Sequence, residues 1–234
     1  MAARSLLAAS VMIALAAPYT AFAERPMWVD DAGTLDEGGA KLEGGWSRDG
    51  RMRGWDGAAG FAPVEHLELE IDFATARDHA TAPTTELRDH GFSLKWVPVQ
   101  QDEGLSAGLR FAIGWGRSDD QLGTLEKSHG QELRGLLTWG FATGQRLHVN
   151  LGLAWEKAVG VRTAMSLWGI GFDQPLGKKL SLTLEEHGVT NSGASRPDKQ
   201  IGLRWEVVDG VKLSIAGGSG NDRSFAQAGI AWEF

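Results

Sequence analysis

The alternation of residue types at the end of the chain, over 224–234, constrains the fold more than any other feature. Counting back by twos from the last residue gives one apolar face, made of Phe234, Trp232, Ile230, Ala228 and Ala226. The face between them carries Glu233, Ala231, Gly229 and Gln227. A strand with an apolar band on one side and charge tolerated on the other is typical of a barrel in lipid. The stretch therefore predicts the last strand of a transmembrane β-barrel.

The first 23 residues have the features of an export signal. Arg4 precedes an apolar run over 6–17, and Ala21-Phe22-Ala23 stands before Glu24. This order predicts a signal peptide over 1–23 and export through the Sec pathway. The alternative is a membrane anchor, but the run is shorter than the roughly 20 residues that a spanning helix needs.

A membrane protein without a spanning helix must be a closed barrel, because open sheet edges cannot be satisfied in hydrocarbon. Period-two alternation gives about twelve strands, within a range of about 10 to 14. The segments lie near 38–48, 53–62, 64–76, 87–98, 104–117, 131–142, 146–157, 163–174, 178–187, 198–207, 210–218 and 223–234. We therefore predict an all-β protein, an antiparallel up-and-down transmembrane barrel over 38–234.

The connections between these segments are predicted to alternate in length. Short links fall near 62–64, 100–104, 143–145, 175–177 and 208–210, and longer polar links at 76–86, 117–131 and 187–198. Outer-membrane barrels have short periplasmic turns and longer external loops. We therefore expect both termini on the periplasmic side of a Gram-negative outer membrane. Residues 24–37 form a periplasmic segment that either hangs from the barrel as a flexible lead-in or folds into the bore.

Tryptophan is concentrated near the predicted strand ends and, in this register, points outward. This arrangement predicts aromatic girdles at the two membrane interfaces. The residues are Trp46, Trp55, Trp115 and Trp155 at one end, and Trp96, Trp139, Trp205, Trp232 and the terminal Phe234 at the other. A soluble β-sandwich is the alternative, but its core would not place tryptophan at both rims.

The faces opposite the apolar ones are rich in charge and are predicted to line the lumen. The main candidates are Glu68, Glu70, Asp72, Lys95, Arg110, Glu132, Arg134, His148, Glu185, Arg204 and Lys212. A narrow bore can be filled by its own side chains, so these groups could pair and close it. They could also line a polar passage, with the acidic row of β-strand residues 68, 70 and 72 facing Arg110, Arg134 and Arg204 and setting selectivity.

Two smaller motifs carry weaker hypotheses. The triplet Arg-Asp-His occurs at 77–79 and 88–90, where two histidines and two aspartates could bind a metal, although a solvated loop base is the simpler interpretation. His187 and Ser192 lie in a predicted external loop, where a serine nucleophile would need the histidine as its base. Their spacing does not orient such a pair, and we predict no catalytic residue, no metal and no cofactor.

Composition limits the partners. The net charge is −7 with both signs mixed along the strands and no basic cluster, so nucleic acid is not an expected partner. The chain has no cysteine, and hence neither a disulfide nor a lipoprotein attachment site. The expected partners are outer-membrane lipid, a small-molecule solute, and the barrel-assembly machinery, which reads a C-terminal strand ending in an aromatic residue such as Phe234.

The mature chain resembles the outer-membrane barrel family labelled "MetA-pathway of phenol degradation". The resemblance rests on Gly91-Phe92-Ser93-Leu94-Lys95-Trp96 and on three later stretches, 182–188, 200–205 and 228–234. It implies a barrel that helps small, sometimes aromatic, molecules to cross the outer membrane. It assigns no binding residue.

The sequence thus favours a passive channel or uptake protein for small solutes. A non-conducting structural or partner-binding barrel with a charge-plugged lumen is the first alternative, and an outer-membrane lipid-modifying hydrolase is the second. We do not expect an enzyme.

Overall fold

The computed structural model describes residues 25–120, 122, 124–190 and 197–234. Twelve strands form a closed barrel within this part of the chain, in which each strand pairs with its neighbours in sequence and the last pairs with the first. The strands are β1 (Ala40–Asp49), β2 (Met52–Val64), β3 (Leu67–Asp78), β4 (Thr85–Val99), β5 (Gly104–Asp119), β6 (Leu125–Gly140), β7 (Arg146–Ala158), β8 (Val161–Pro175), β9 (Leu180–Thr190), β10 (Asp198–Val208), β11 (Val211–Gly220) and β12 (Arg223–Glu233). The predicted fold class and the strand number of twelve are confirmed.

Side chains alternate between the two faces of the wall in every long strand. In β6, Leu133 is 44% exposed while Arg134 beside it is fully buried. Large apolar side chains cover the outside, and the polar and charged ones point into the bore. This is the inverse of a soluble protein, and it is the arrangement expected where lipid covers the outer face. No helix of the described residues is long and apolar enough to cross a membrane.

The two ends of the barrel differ in what they carry. Ala40 and Phe234 exchange backbone hydrogen bonds of 2.7 and 2.9 Å, so the first and last strands meet at one end, called here the terminal end. The connections after β2, β4, β6, β8 and β10 lie at the same end. The other connections lie at the far end.

The predicted difference in loop length is smaller in the structure, because several strands run further than the sequence indicated. β6 begins at Leu125 instead of near 131, and β9 ends at Thr190 instead of near 187. At the far end, the links at 50–51, 159–160 and 221–222 are two-residue turns. The added residues of these strands lie at the rim, beyond the apolar belt. There the backbone hydrogen bonding continues although the outward side chains form no apolar face.

One predicted turn is displaced. The sequence places a turn at 62–64, but β2 continues to Val64 and the turn falls at Glu65 and His66. Pro63 lies where the pairing of β2 with β3 shifts register between Phe61 and Val64. Proline has no amide hydrogen for the ladder, so it is tolerated in a strand at an irregularity of this kind.

Candidate functional site

The bore contains the chain's own N-terminal part. Residues 25–35, called here the bore segment, enter at the terminal end, where the Leu35 amide donates to Glu68 (3.2 Å). The segment reaches Gln200, the third residue of β10 from the far end, whose amide donates to the Pro26 carbonyl (2.6 Å). Of the two arrangements considered for residues 24–37, the structure has residues 25–35 inside the barrel. The polar wall supplies partners for backbone groups that have no strand to pair with.

Wall side chains bind the backbone of the bore segment along most of its length. Asn150 bonds both backbone groups of Asp30, accepting from its N–H and donating to its carbonyl at 2.7 Å each. Glu185 accepts from the amides of Trp28 (2.8 Å) and Val29 (3.0 Å). The hydroxyl oxygen of Thr138 accepts from the Ala32 amide (2.8 Å).

Two adjacent carboxylates anchor the middle of the segment. Lys95 Nζ lies 2.8 Å from Asp30 Oδ1 and 2.9 Å from Asp31 Oδ1. Arg110 stands 3.6 Å from Asp30, and Arg146 stands 3.7 Å from Asp31. Burial alone would raise the pKa of the Asp31 carboxyl, but Lys95 first, and then His148 and Arg146, hold that pKa well below its usual range.

The start of the segment is held on the opposite side of the bore. The Arg25 guanidinium pairs with Asp56 of β2 and lies 3.5 Å from Glu43 of β1. Burial lowers the pKa of this guanidinium, although Glu43 opposes the effect. The backbone carbonyl of Arg25 accepts a hydrogen bond from Arg204 Nε (2.7 Å).

The charges of the wall are divided between two sides. The acidic side, on β1–β3, carries Glu43, Asp56, Glu68, Glu70 and Asp72, with Lys41 among them. The basic side, in the half of β4–β7 nearer the terminal end, carries Lys95, Arg110, Arg134 and Arg146, with Glu132 among them. Asp89, Glu126 and Glu156 point inward nearer the far end of the same strands. The bore segment matches this division, because its cation meets the acidic side and its two carboxylates meet the basic side.

Apolar and aromatic contacts complete the fit. The Trp28 ring stacks on His187, with centroids 4.4 Å apart, and the Arg134 guanidinium lies 4.1 Å from the Trp28 ring centre. Met27 and Val29 lie against the inward glycines of β8. A Cβ atom built on Gly169 would stand 2.7 Å from Val29 Cγ2, so a side chain there would collide with the segment.

Most of the predicted lumen residues are buried in the bore. Glu68, Glu70, Lys95, Arg110, Glu132, Arg134, His148 and Glu185 are buried, whereas Asp72, Arg204 and Lys212 are half-buried. The predicted meeting of the acidic row with three arginines holds in part. Arg110 stands 3.7 Å from Glu70, but Arg134 pairs with Glu132 (2.8 Å) and Arg204 with Asp173 (3.3 Å). The bore segment lies between the acidic and basic sides. It forms ion pairs with wall residues that the sequence had predicted to pair with each other across the bore.

Lys41 has a role that the sequence pattern did not single out. Its Nζ lies 2.8 Å from both Glu68 and Glu70. Lys41 on β1 therefore neutralises the acidic row on β3, with β2 between the two strands. At the terminal end Lys212 pairs with Glu233 at 2.9 Å. These pairs satisfy charges that would otherwise be costly to bury.

The structure separates the members of the Arg-Asp-His motif, and the His187/Ser192 motif lies partly outside the described residues. His90 points outward and stacks near Trp115, with centroids 5.5 Å apart, while Asp78 faces inward and accepts from a loop amide. Among the described residues no group of three or more His, Asp or Glu is placed to hold a metal ion. His187 lies within β9 on the inward face, not in an external loop, and Ser192 lies outside the described residues.

The predicted interface aromatics lie on the outer face. Trp46 is half-buried beside its cross-strand partner Trp55. The others are exposed, namely Trp55, Trp96, Trp115, Trp139, Trp155, Trp205, Trp232 and Phe234.

The closed antiparallel wall with an apolar exterior and a polar bore defines an outer-membrane β-barrel. Solved structures of this class share the fold. The COG4313 outer membrane channel from Pseudomonas putida F1 superposes with a TM-score of 0.65 at 11% identity, covering 87% of this chain and 98% of that one. The KdgM porin gives 0.60 at 11% identity, covering 83% and 99%. The translocator domain of the autotransporter NalP from Neisseria meningitidis gives 0.56 at 14% identity, covering 99% and 97%.

The chain belongs to the family described as "Uncharacterised conserved protein UCP029691", whose model matches residues 11–230. The resemblance to the phenol-degradation barrels is supported at the level of the barrel. No curated protein sequence matches the chain.

Proposed function

We propose that this protein is a passive outer-membrane channel for small solutes, and that the conformation described here is its closed state. The barrel stands in lipid with its terminal end in the periplasm, after removal of residues 1–23 by signal peptidase. The barrel-assembly machinery inserts it through the C-terminal strand, and the exposed tryptophans form the two girdles.

One observation carries this proposal. The object that fills the bore is a separate polypeptide segment, and it is joined to the wall by side-chain hydrogen bonds and ion pairs, not by strand pairing. A bore that accommodates residues 25–35 with the Trp28 ring is wide enough to leave a passage when they withdraw. Water can replace each polar contact on both partners, so withdrawal does not require the barrel to unfold.

Buried charge on the wall supports a passage over a purely structural barrel. Burying ion pairs is often no more stabilising than packing apolar residues of similar size. A wall with this many charges therefore favours a role in contact with water. The non-conducting alternative remains the competitor, since the same charges hold the segment in place.

Charge reversal on the segment separates the two functions. We expect the full-length variant Asp30→Lys/Asp31→Lys, called here the released variant, to expel its segment, because Lys95 and Arg110 would repel the new ammonium groups. Single-channel recording in planar bilayers should then show steady conductance, against a largely closed wild type. The matched control Asp36→Lys/Glu37→Lys makes the same charge change at exposed positions and should behave as wild type.

A released variant that keeps the mobility of a folded barrel on unboiled gels, yet leaves the bilayer sealed, would contradict the channel function.

A further inference from the structure

We propose that the solutes taken by this bore are short peptides, bound along the path that the bore segment now follows. This inference rests on the channel function proposed above and names its substrate class. It follows from which atoms of the segment the wall contacts.

The wall binds main-chain atoms that every peptide has. The carbonyl of Pro26 accepts from Gln200 and from Gln227, and that of Trp28 accepts from Arg134 (3.2 Å). The carbonyl of Thr34 accepts from Gln100. The amides of the segment donate to acceptors on other strands, as described above. Such contacts do not depend on the identity of the side chains, so another peptide that follows the same path can make them.

Asn150 shows this recognition most directly. It accepts from the N–H and donates to the C=O of the same residue, which is how a neighbouring strand would pair with that residue. Its side chain is fully buried on β7, against the bore segment. A bound sugar or simple diacid would not present this donor and acceptor at the spacing of a peptide.

The partners also surround the bore. Gln227 lies on β12, Asn150 on β7 and Glu68 on β3, with further partners on β6, β9 and β10 and at Gln100 just after β4. A peptide in the lumen is thus bound from several sides along its length, as expected of a binding path and not of a single anchoring point.

Side-chain contacts indicate which peptides bind best. Lys95, Arg110 and Arg146 surround two adjacent carboxylates, so an acidic residue is preferred at the middle of the peptide. An aromatic residue two positions earlier would stack on His187 as Trp28 does. At the positions of Met27 and Val29 the inward glycines of β8 leave room for ordinary aliphatic side chains.

The test uses current block in the released variant, which keeps the full chain and an unaltered wall. Three synthetic peptides are added. One has the sequence of residues 25–35, one has the other residues in scrambled order while the tryptophan and the two aspartates keep their positions, and one has the native order but is N-methylated at the positions of Trp28, Val29, Asp30 and Ala32. Succinate serves as a diacid without a peptide backbone.

We expect the native and scrambled peptides to block at concentrations within a few-fold of each other. The methylated peptide should need at least about tenfold more, because it has lost several backbone hydrogen-bond donors. Succinate should block more weakly still. Block by the native but not the scrambled peptide would overturn the inference and leave a sequence-specific plug, and so would equal block by the methylated peptide.

A wall variant supplies the second measurement. In the released variant, Asn150→Asp removes the donor to the peptide carbonyl at nearly constant size and should weaken native and scrambled peptides alike. Glu156→Gln, on the same strand and without a described contact to the segment, should leave both unchanged. A released variant that carries no current defeats the channel function itself, whereas one that conducts and is blocked by no peptide defeats only this inference.

Discussion

At the scale of single residues, Lys95 does most to hold the segment in the bore. It is buried and contacts both Asp30 and Asp31 at 2.8 and 2.9 Å. Arg110 and Arg146 are further from these carboxylates, so they cannot replace its hydrogen bonds without moving.

Replacing Lys95 by methionine should therefore release the segment. Removing one partner of a buried ion pair commonly costs about 3–5 kcal/mol, because the other charge stays buried and unpaired. Here the carboxylates can escape that cost by leaving the bore, so the variant should show a raised open probability in planar bilayers. Lys179→Met removes an exposed lysine whose partner Asp209 is also exposed, and should leave the open probability unchanged. Equal gating in the two variants would mean that Lys95 is not the anchor.

Asp31 makes docking of the segment depend on acid. Its pKa is depressed when docked, so its ionised form stabilises the docked state at every pH above the free value of about 3.9, and that contribution is lost as pH falls through the docked value. We expect the open probability of the wild type to rise as pH falls below about 4. Asp31→Asn should start from a higher open probability and respond less to acid. A wild-type response centred near neutral pH would point to another group.

At the scale of elements, the strands could be predicted from the sequence because alternation is a local pattern. It is clearest in the lipid belt, as in β3, where Ile71 is exposed and Glu70 is buried. It fades at the rims, so the start of β6 at Leu125 was missed: Glu126, Lys127 and His129 give no apolar face although the ladder continues.

The position of the N-terminal segment could not be predicted in the same way. Its contacts join residues far apart in sequence, such as Pro26 and Gln227, which are 201 positions apart. No periodicity within residues 25–35 predicts these contacts. The inward Gly169 and Gly171 were the available signal, since two small residues at consecutive inward positions leave space that something else must fill. Composition alone could not show that residues 25–35 of the same chain fill this space.

The segment should move as one element, and a crosslink can test this. Ala32 packs with Val97 and Leu136 of the wall near the terminal end. The chain has no cysteine, so a pair introduced as Ala32→Cys/Val97→Cys would be the only one. Added to the Lys95→Met variant and oxidised, it should restore the closed state, and a reductant should reopen it. Ala32→Cys alone, in the same background, should show no redox effect. Persistent opening of the oxidised pair, with the disulfide verified by mass, would place the gate elsewhere.

At the scale of the whole molecule, the wall of the bore carries mainly acidic side chains on one side and mainly basic ones on another. The acidic side on β1–β3 and the basic side on β4–β7 adjoin where Glu70 and Arg110 stand 3.7 Å apart. In the closed state the segment also bridges them, with Arg25 on one and Asp30 on the other. Withdrawal of the segment removes this bridge and leaves the two sides facing water, where they act on any permeating ion.

The open channel should therefore respond in opposite directions to changes on its two sides. In the released variant, Arg110→Ala removes a cation from the basic side and should shift the reversal potential in a salt gradient toward cation selectivity. Glu70→Ala removes an anion from the acidic side and should shift it toward anion selectivity. Both shifts should shrink as salt rises from about 0.1 M to about 1 M, because the Debye length falls from about 10 Å to about 3 Å. If both substitutions moved the reversal potential the same way, or neither moved it at any salt, ions would not pass between these walls, and the charges would serve only to hold the segment.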